Sequence, residues 1–172
     1  PFDGPGIEGG SQDGPKGEDI ESPQLLVYAG SAGVPGDDDG PLKTARFDGP
    51  TGLTVDTNGA VYVADFLKHR IRKIAGGQVS TFAGGNGSGT KDGPKGQAQF
   101  AAPLKVAATA TQLFVTDNKG MKLRSVSLAT QEVKTVLATD PYKVKEGAGV
   151  AFAPSTGKGN GTLMYVALMD KH

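Results

Sequence analysis

The chain has no cysteine, no tryptophan and only two histidines among its 172 residues. Without cysteine it can form neither a disulfide nor a metal site with thiolate ligands. Two histidines are too few for a zinc centre built from three of them. No stretch approaches the ~18 to 20 consecutive apolar residues of a membrane-spanning helix, so no membrane span is predicted.

An excess of charge of either sign is also missing, because 18 basic residues are matched by 18 acidic ones. A balanced chain has no general attraction to nucleic acid or to an anionic membrane. There is no nucleophile elbow, no phosphate-binding glycine loop ending in Lys-Ser/Thr, and no recognisable pair of catalytic carboxylates. The sequence therefore predicts no catalytic residue, no metal site and no cofactor.

Glycine and proline are abundant, at 27 and 11 residues, as is typical of many short strands joined by turns. Between Arg46 and Gly85 four short runs rich in β-branched and aromatic residues are separated by Asn, Asp and Gly turns. Such spacing indicates an antiparallel meander. The predicted strands cover Gly52–Asp56, Val61–Ala64, Arg70–Ile74 and Val79–Ala83.

The segment from Phe47 to Gly84 resembles one NHL repeat. The match consists of F-x-x-P-x-G-L-x-V-D-x-x-G-x-V-Y-V-A-D, then R-I-R-K-I, then G-x-V-x-T-x-A-G. This resemblance implies an all-β fold in which the segment is one four-stranded antiparallel blade of a β-propeller.

The same features recur about 53 residues later, which is the mark of a repeat architecture. Asp39-Gly-Pro41 recurs as Asp92-Gly-Pro94, and Phe47 recurs as Phe100, while Lys105 stands where the first repeat has Gly52. The predicted parts are the last strand of a preceding blade at 24–30, blades at 47–84 and 100–138, and the start of another at 149–172. Residues 1–23 are rich in turn formers and are predicted to be a loop or linker without stable structure.

Two blades and parts of two more are too few to close a ring, since propellers have ~4 to 8 blades. An open stack would expose a large apolar sheet face. We therefore expect this chain to belong to a longer protein, or other chains to supply the missing blades.

Two aspartates, Asp65 and Asp117, follow the second strands of the two blades. We expect them to fix tight turns by accepting hydrogen bonds from backbone amides, in preference to acting as bases or metal ligands. On the third strands, alternation is expected to place one basic residue of each pair at the blade edge and the other between blades, where it needs a carboxylate or carbonyl partner. The pairs are Arg70 with Arg72, and Lys122 with Arg124.

In an up-down-up-down blade, the turn between the second and third strands lies on the same rim as the connection to the next blade. Long polar loops on a rigid scaffold are where binding usually resides, although their length can also be neutral drift. The connectors Ser31–Arg46 and Gly85–Gln99 reach this rim. The candidate interaction residues there are Phe66, Lys68, His69, Asn118, Lys119 and Met121. Asp37-Asp38-Asp39 could suggest calcium, but lacks the alternating ligands of a calcium loop and is expected to be solvated.

Two Asn-x-Ser/Thr sequons, at Asn86 and Asn160, are either chance occurrences in turns rich in Gly, Ser and Thr or candidate glycosylation sites. As glycosylation sites they favour a secreted chain over a cytoplasmic one. The sequence thus favours a non-catalytic propeller module that binds protein partners or acts as a structural subunit of a larger, extracellular assembly. One alternative is a lyase or hydrolase whose ligands lie on other segments. Another is RNA binding through the basic rim, which the balanced charge disfavours.

Overall fold

The computed structural model describes residues 27–137, 149–153 and 163–167. Several features predicted above lie outside these ranges: the linker 1–23, residues 24–26, the parts of the last predicted blade at 154–162 and 168–172, and the sequon at Asn160.

The first described sheet contains the predicted meander and one further strand. Its strands are β1 (Gly40–Pro41), β2 (Pro50–Val55), β3 (Val61–Asp65), β4 (Arg70–Ala75) and β5 (Gln78–Gly84), in the spatial order β1-β5-β4-β3-β2. All neighbours are antiparallel, and a 3-10 turn at Phe66–Lys68 joins β3 to β4. The short strand β1 was not predicted. It pairs Gly40 with Val79, and so protects the outer edge of the blade.

The second sheet repeats this meander. Its strands are β6 (Pro103–Ala108), β7 (Gln112–Asp117), β8 (Lys122–Ser127) and β9 (Val133–Leu137), in sequential order. A third, two-stranded antiparallel sheet follows, formed by β10 (Gly149–Ala153) and β11 (Leu163–Ala167), and β10 lies beside β6. The prediction of an all-β fold made of antiparallel blades is confirmed. Blade 1 is β2–β5 and blade 2 is β6–β9.

Each blade has two faces, because successive side chains of a strand point to opposite sides of the sheet. The trailing face of blade 1 points toward blade 2, and its leading face points the other way. Register places Leu53 opposite Val63 and Val55 opposite Val61 on the leading face. Gly52 opposite Ala64 and Thr54 opposite Tyr62 lie on the trailing face.

The main hydrophobic core forms between the trailing face of blade 1 and the leading face of blade 2. Tyr62, Ala64 and Ile71 of blade 1 are buried there. The leading face of blade 2 contributes Val106, Leu113, Val115, Val126 and Val133. Tyr62 also packs edge-on against Phe82, with the ring centroids 4.9 Å apart.

Gly52 allows the innermost strands of the two blades to come into close contact. A Cβ atom at this position would lie 2.6 Å from the carbonyl oxygen of Leu104 and 2.9 Å from the Cα of Lys105. Beside it, the Thr51 hydroxyl donates to the Leu104 carbonyl at 2.8 Å, and the Ala108 amide donates to the Thr54 hydroxyl at 3.2 Å. The glycine is required by backbone proximity and not by a turn.

The described part of the predicted strand at 24–30 is not a strand, since Val27–Gly30 has no strand pairing. It nevertheless lies where the end of a preceding blade would lie. Gly30 approaches the ring of Phe47, as Gly84 at the end of β5 approaches the ring of Phe100. A fourth strand needs the third strand of its own blade as a hydrogen-bond partner, and that strand is not among the described residues.

Candidate interaction site

A buried ionic network supports the rim of blade 1, with Asp65 at its centre. Its Oδ2 accepts hydrogen bonds from Arg70 Nε at 3.0 Å and Arg72 Nη1 at 3.3 Å, and its Oδ1 accepts one from the Asp48 amide at 2.8 Å. All three charged side chains are buried. The amide that Asp65 binds precedes β2, so this residue ties the start of the blade to the end of β3, where a bond to the local turn was expected.

The guanidinium of Arg72 fastens the connector that precedes blade 1. It donates to the carbonyls of Arg46 at 2.7 Å and Asp38 at 2.8 Å, forms an ion pair with Asp39 at 2.7 Å, and lies 4.7 Å from the centroid of Phe47. Arg70 also holds this connector, because its Nη2 donates a hydrogen bond to the Asp37 carbonyl at 2.9 Å. The expectation that Arg70 and Arg72 divide between edge and interior is wrong, because residues two apart on a strand share one face.

Blade 2 repeats this network with Arg124 in the place of Arg72. Arg124 donates to the Gln99 carbonyl at 3.0 Å and the Lys91 carbonyl at 3.0 Å, and pairs with Asp117 at 3.3 Å and Asp92 at 2.7 Å. It lies 5.2 Å from the centroid of Phe100. Asp117 in turn accepts hydrogen bonds from the amides of Ala101 and Ala102.

The repeated Asp-Gly-Pro sequence closes the outer edge of each blade. Asp39 accepts from the Thr81 amide at 2.7 Å, and Asp92 accepts from the Thr135 amide and hydroxyl, each at 2.9 Å. Partial burial raises the pKa of the Asp92 carboxyl, but the hydrogen bonds from Thr135 and from Arg124 outweigh it and hold that pKa below its ordinary value.

These contacts change the interpretation of the long connectors. Asp39 forms an ion pair with Arg72, and the backbone carbonyls of Asp37 and Asp38 accept from arginines, so the acidic run is part of the blade structure and not simply a solvated loop. In the described ranges no group of three or more His, Asp or Glu side chains could hold a metal ion. Both connectors supply carbonyl acceptors for the buried arginines, and the first also supplies the edge strand β1.

The rim turns themselves occupy equivalent places in the two blades. His69 and Met121 both adopt the left-handed backbone conformation, with φ of 55° and 48°. This conformation is uncommon for residues with a side chain. The His69 carbonyl accepts the Gly85 amide at 3.1 Å, so the turn lies beside the start of the next connector, as expected from the topology.

The six candidate rim residues differ in how accessible they are. Lys119 and Met121 are exposed, whereas Phe66, Lys68, His69 and Asn118 are half-buried. Lys68 Nζ pairs with Asp48 at 3.4 Å. His69 Nδ1 and Asn118 Oδ1 are buried and have no hydrogen-bond partner within the described part of the chain. Leu67, which the sequence did not single out, is another exposed apolar residue on this rim.

The most apolar exposed surface of the described residues is the leading face of blade 1. Leu53 is 70% exposed and Val55 is 54% exposed, whereas Val106, which takes the register position of Leu53 in blade 2, is 6% exposed. Beside them Tyr28 is 62% exposed. A groove of about 260 Å³ lies on this face, lined by Tyr28, Ala29, Phe47, Leu53, Val61, Val63 and neighbouring residues. The sequence predicted an exposed apolar face but did not identify these residues.

The sequon at Asn86 lies on an exposed turn just after β5. Its backbone carbonyl accepts a hydrogen bond from Gln99 Nε2 at 2.8 Å, so the turn is fixed while the Asn86 residue remains exposed. No helix in the described ranges has the length and apolar character needed to cross a membrane.

Four-stranded antiparallel meanders stacked face to face are the blades of a β-propeller. Residues 47–74 match the family model of the NHL repeat, which supports the interpretation of this chain as part of an NHL-repeat protein.

Comparisons with known proteins agree with this assignment. The chain is 35% identical over 89 residues to NHL repeat-containing protein 2 of Gallus gallus, which covers 51% of this chain and 12% of that protein. It is similar to the crystal structure of a protein of unknown function from Bacteroides thetaiotaomicron, with 30% identity and a TM-score of 0.55 over 57% of this chain and 26% of that one. An auxiliary nutrient binding protein from Bacteroides ovatus shares the fold, with 24% identity and a TM-score of 0.51 over 63% of this chain and 28% of that one. The chain therefore spans about an eighth of the curated relative and about a quarter of each structure.

Proposed function

We propose that this chain is a non-catalytic propeller module that acts through protein contacts, as an interaction or structural subunit of a larger, extracellular assembly. NHL repeats are typical of protein-interaction propellers. In this proposal other chains or further blades cover the leading face of blade 1, and the rim of the two turns contacts a protein partner.

The observation that carries the proposal is the exposure of Leu53 and Val55 on the leading face of blade 1, with exposed Tyr28 lining the same groove as Leu53. Fully burying a side chain of this size contributes about 1.5 to 3 kcal/mol. A complex that covers these residues is therefore more stable than one that leaves them exposed to water. Exposed apolar patches of this kind mark interaction sites in soluble proteins.

The rim supplies a second surface of different character. Met121 and Leu67 are exposed apolar residues, and the exposed Lys119 has no ion pair within the described part of the chain. Buried ion pairs hold the strands on which these turns stand. Exposed apolar and cationic side chains on turns that are held by rigid strands are suited to binding a protein surface.

Oxidative footprinting tests both surfaces in one experiment. The isolated chain and the native assembly are exposed to hydroxyl radicals, and oxidation is measured by peptide mass spectrometry. We expect Tyr28 and Met121 to be oxidised readily in the isolated chain and protected in the assembly, while buried Tyr62 is protected in both and serves as the internal control. Equal oxidation of Tyr28 in the two samples would contradict the proposal for the leading face, and equal oxidation of Met121 would contradict it for the rim.

The extracellular part of the proposal rests on the sequons and has its own test. Peptide mapping of the native protein, before and after enzymatic removal of N-linked sugar, should show a glycan on Asn86. An unmodified Asn86 together with an unmodified Asn160 would remove the support for secretion.

A further inference from the structure

The two repeats differ in charge, although they have the same strands. Residues 37–72 contain five basic and six acidic side chains, whereas the equivalent residues 90–124 contain six basic and only two acidic ones. Both acids of the second segment are engaged by Arg124, because Asp92 and Asp117 each form an ion pair with its guanidinium. The second repeat therefore has an excess of positive charge that its own carboxylates do not neutralise.

Two lysines of this excess replace residues that are not basic in the first repeat. Lys91 takes the position of Asp38, and Lys119 takes the position of Leu67. Both lysines are exposed, and neither has an ion pair within the described ranges. These positive charges are therefore specific to blade 2 and are not a property of the repeat.

A third lysine, Lys122, takes the position of Arg70, because each residue pairs in register with the aspartate that ends the second strand. In blade 1 the charge of Arg70 is neutralised by Asp65 at 3.0 Å. In blade 2 the ion pair of Asp117 is made with Arg124, and half-buried Lys122 has no carboxylate partner among the residues described. The same place in the fold thus has a closed ion pair in one blade and a free cation in the other.

The fold brings the three lysines together at one rim. A Cβ atom at Gly120 would lie 3.0 Å from Thr90 Cγ2, so the turn between β7 and β8 packs against the connector. Lys119 precedes Gly120 and Lys91 follows Thr90, which places the Cα atoms of the two lysines at most about 15 Å apart. We call Lys91, Lys119 and Lys122 the cationic rim.

The surroundings of the cationic rim indicate what kind of anion fits it. Met121, within the same turn, is 50% exposed and offers a flexible apolar contact. Arg124, whose planar fork would suit phosphate, is fully buried and bonded to protein groups. No aromatic residue stands in the turn at 118–122 on which a nucleic acid base could stack. Carboxylates next to an apolar side chain match this surface better than a phosphate backbone does.

We propose, building on the function proposed above, that the cationic rim of blade 2 binds an acidic protein segment. Carboxylates of the segment pair with the three lysines, and an apolar side chain of the segment packs on Met121. An extended chain covers the separation of the lysines with about four or five residues, so a short segment reaches all of them.

The test measures binding of a fluorescently labelled, glutamate-rich peptide with a central leucine to the full chain. The variant Lys91→Glu/Lys119→Glu reverses two charges of the cationic rim. Lys43→Glu/Lys134→Glu is the matched control, because it changes the net charge equally at two exposed lysines outside this cluster. Met121→Asn removes the apolar contact and suits the left-handed backbone at this position.

We expect the unmodified chain to bind the peptide with an affinity that falls as salt is added. Lys91→Glu/Lys119→Glu should weaken binding about tenfold or more, whereas the matched control should stay within about twofold of the unmodified chain. Met121→Asn should weaken binding by about threefold to tenfold, because a buried apolar contact is lost. The same peptide with glutamine in place of glutamate should bind much more weakly.

Absence of peptide binding at low salt would overturn the proposal, as would an equal loss of affinity in the matched control. An oligouridine that binds more tightly than the peptide, and that loses affinity in the same rim variant, would assign the surface to nucleic acid instead. If Met121 is protected in the native assembly but Lys91→Glu/Lys119→Glu binds the peptide normally, the proposed function stands and the inference of an acidic partner fails.

Discussion

Blades 1 and 2 have the same four strands and similar buried arginine networks, yet the innermost strands of their leading faces differ in exposure. Val106 in blade 2 is 6% exposed because blade 1 covers it, whereas Leu53 at the same register position in blade 1 is 70% exposed. The two faces are similar in chemistry and differ in whether a neighbour is present. A blade is therefore held together by its own hydrogen bonds and ion pairs, and much of its hydrophobic stabilisation comes from the adjacent blade. In blade 1 the connector adds a smaller cluster, which buries Val63, Ile74 and Val79.

The largest expected effect concerns the feature that the two blades share. Arg124→Ala leaves buried Asp117 without the cationic partner that it has among the described residues, which should cost ~3–5 kcal/mol in the free energy of unfolding. Arg72→Ala should cost less, because Asp65 keeps its ion pair with Arg70. Chemical denaturation measures both, with half-buried Lys122→Ala as a control that should change little. A cost for Arg72→Ala as large as that for Arg124→Ala would contradict the supporting role of Arg70.

The next prediction concerns the contact between the trailing face of blade 1 and the innermost strand of blade 2. Gly52→Ala introduces a methyl group 2.6 Å from the Leu104 carbonyl oxygen. Forcing the two backbones apart should destabilise the chain by ~3 kcal/mol. Lys105→Ala, at the same register position in blade 2, should be nearly neutral because Lys105 is exposed. Thermal unfolding of the two variants provides the test, and equal losses would contradict the close approach of the blades.

The matched pair of leading-face truncations addresses the difference directly. Val106→Ala removes buried methyl groups and should cost roughly 2 kcal/mol. Leu53→Ala removes more atoms from an exposed position and should change the free energy of unfolding by less than ~0.5 kcal/mol in the isolated monomer. Urea denaturation at a concentration that keeps the chain monomeric distinguishes them. A greater loss for Leu53→Ala would mean that its face is covered within a single chain.

The smallest effect appears only at alkaline pH. Burial, together with the charge and hydrogen bond of Asp56, raises the pKa of Tyr62 from 10.0 to about 12. The folded chain therefore keeps this proton while the unfolded chain loses it, so stability falls as the pH rises from 10 toward 12. Tyr62→Phe, which copies Phe114 of blade 2, should reduce the loss over this interval. If the two proteins lose stability equally, Tyr62 is not the group responsible.

The strands could be predicted from sequence because their signal is local. Val61 to Ala64, for example, is a β-branched and aromatic run directly bounded by turn residues. The roles of the arginines and of the connector could not be predicted from sequence, because these residues bind partners that are distant in the chain. Asp39 and Arg72 form an ion pair although they are 33 positions apart, and the sequence around either residue does not indicate its partner.

The interaction rim stays a prediction, whereas the role of the residues that support it was interpreted too simply. The sequence assigned Asp65 to a turn, whereas the structure shows it bound to the amide of Asp48, 17 residues earlier. The open face illustrates a different limit. Leu53 and Val106 have similar side chains, so no pattern within either repeat can tell which of them has a neighbour.

Solvent exposure of these two side chains tests the account most directly. Methyl resonances of Leu53 and Val106 can be recorded in the isolated, monomeric chain with and without a soluble paramagnetic agent. We predict strong broadening for the Leu53 methyl groups and little for those of Val106. Similar broadening at both positions would contradict the claim that one leading face is covered and the other is open.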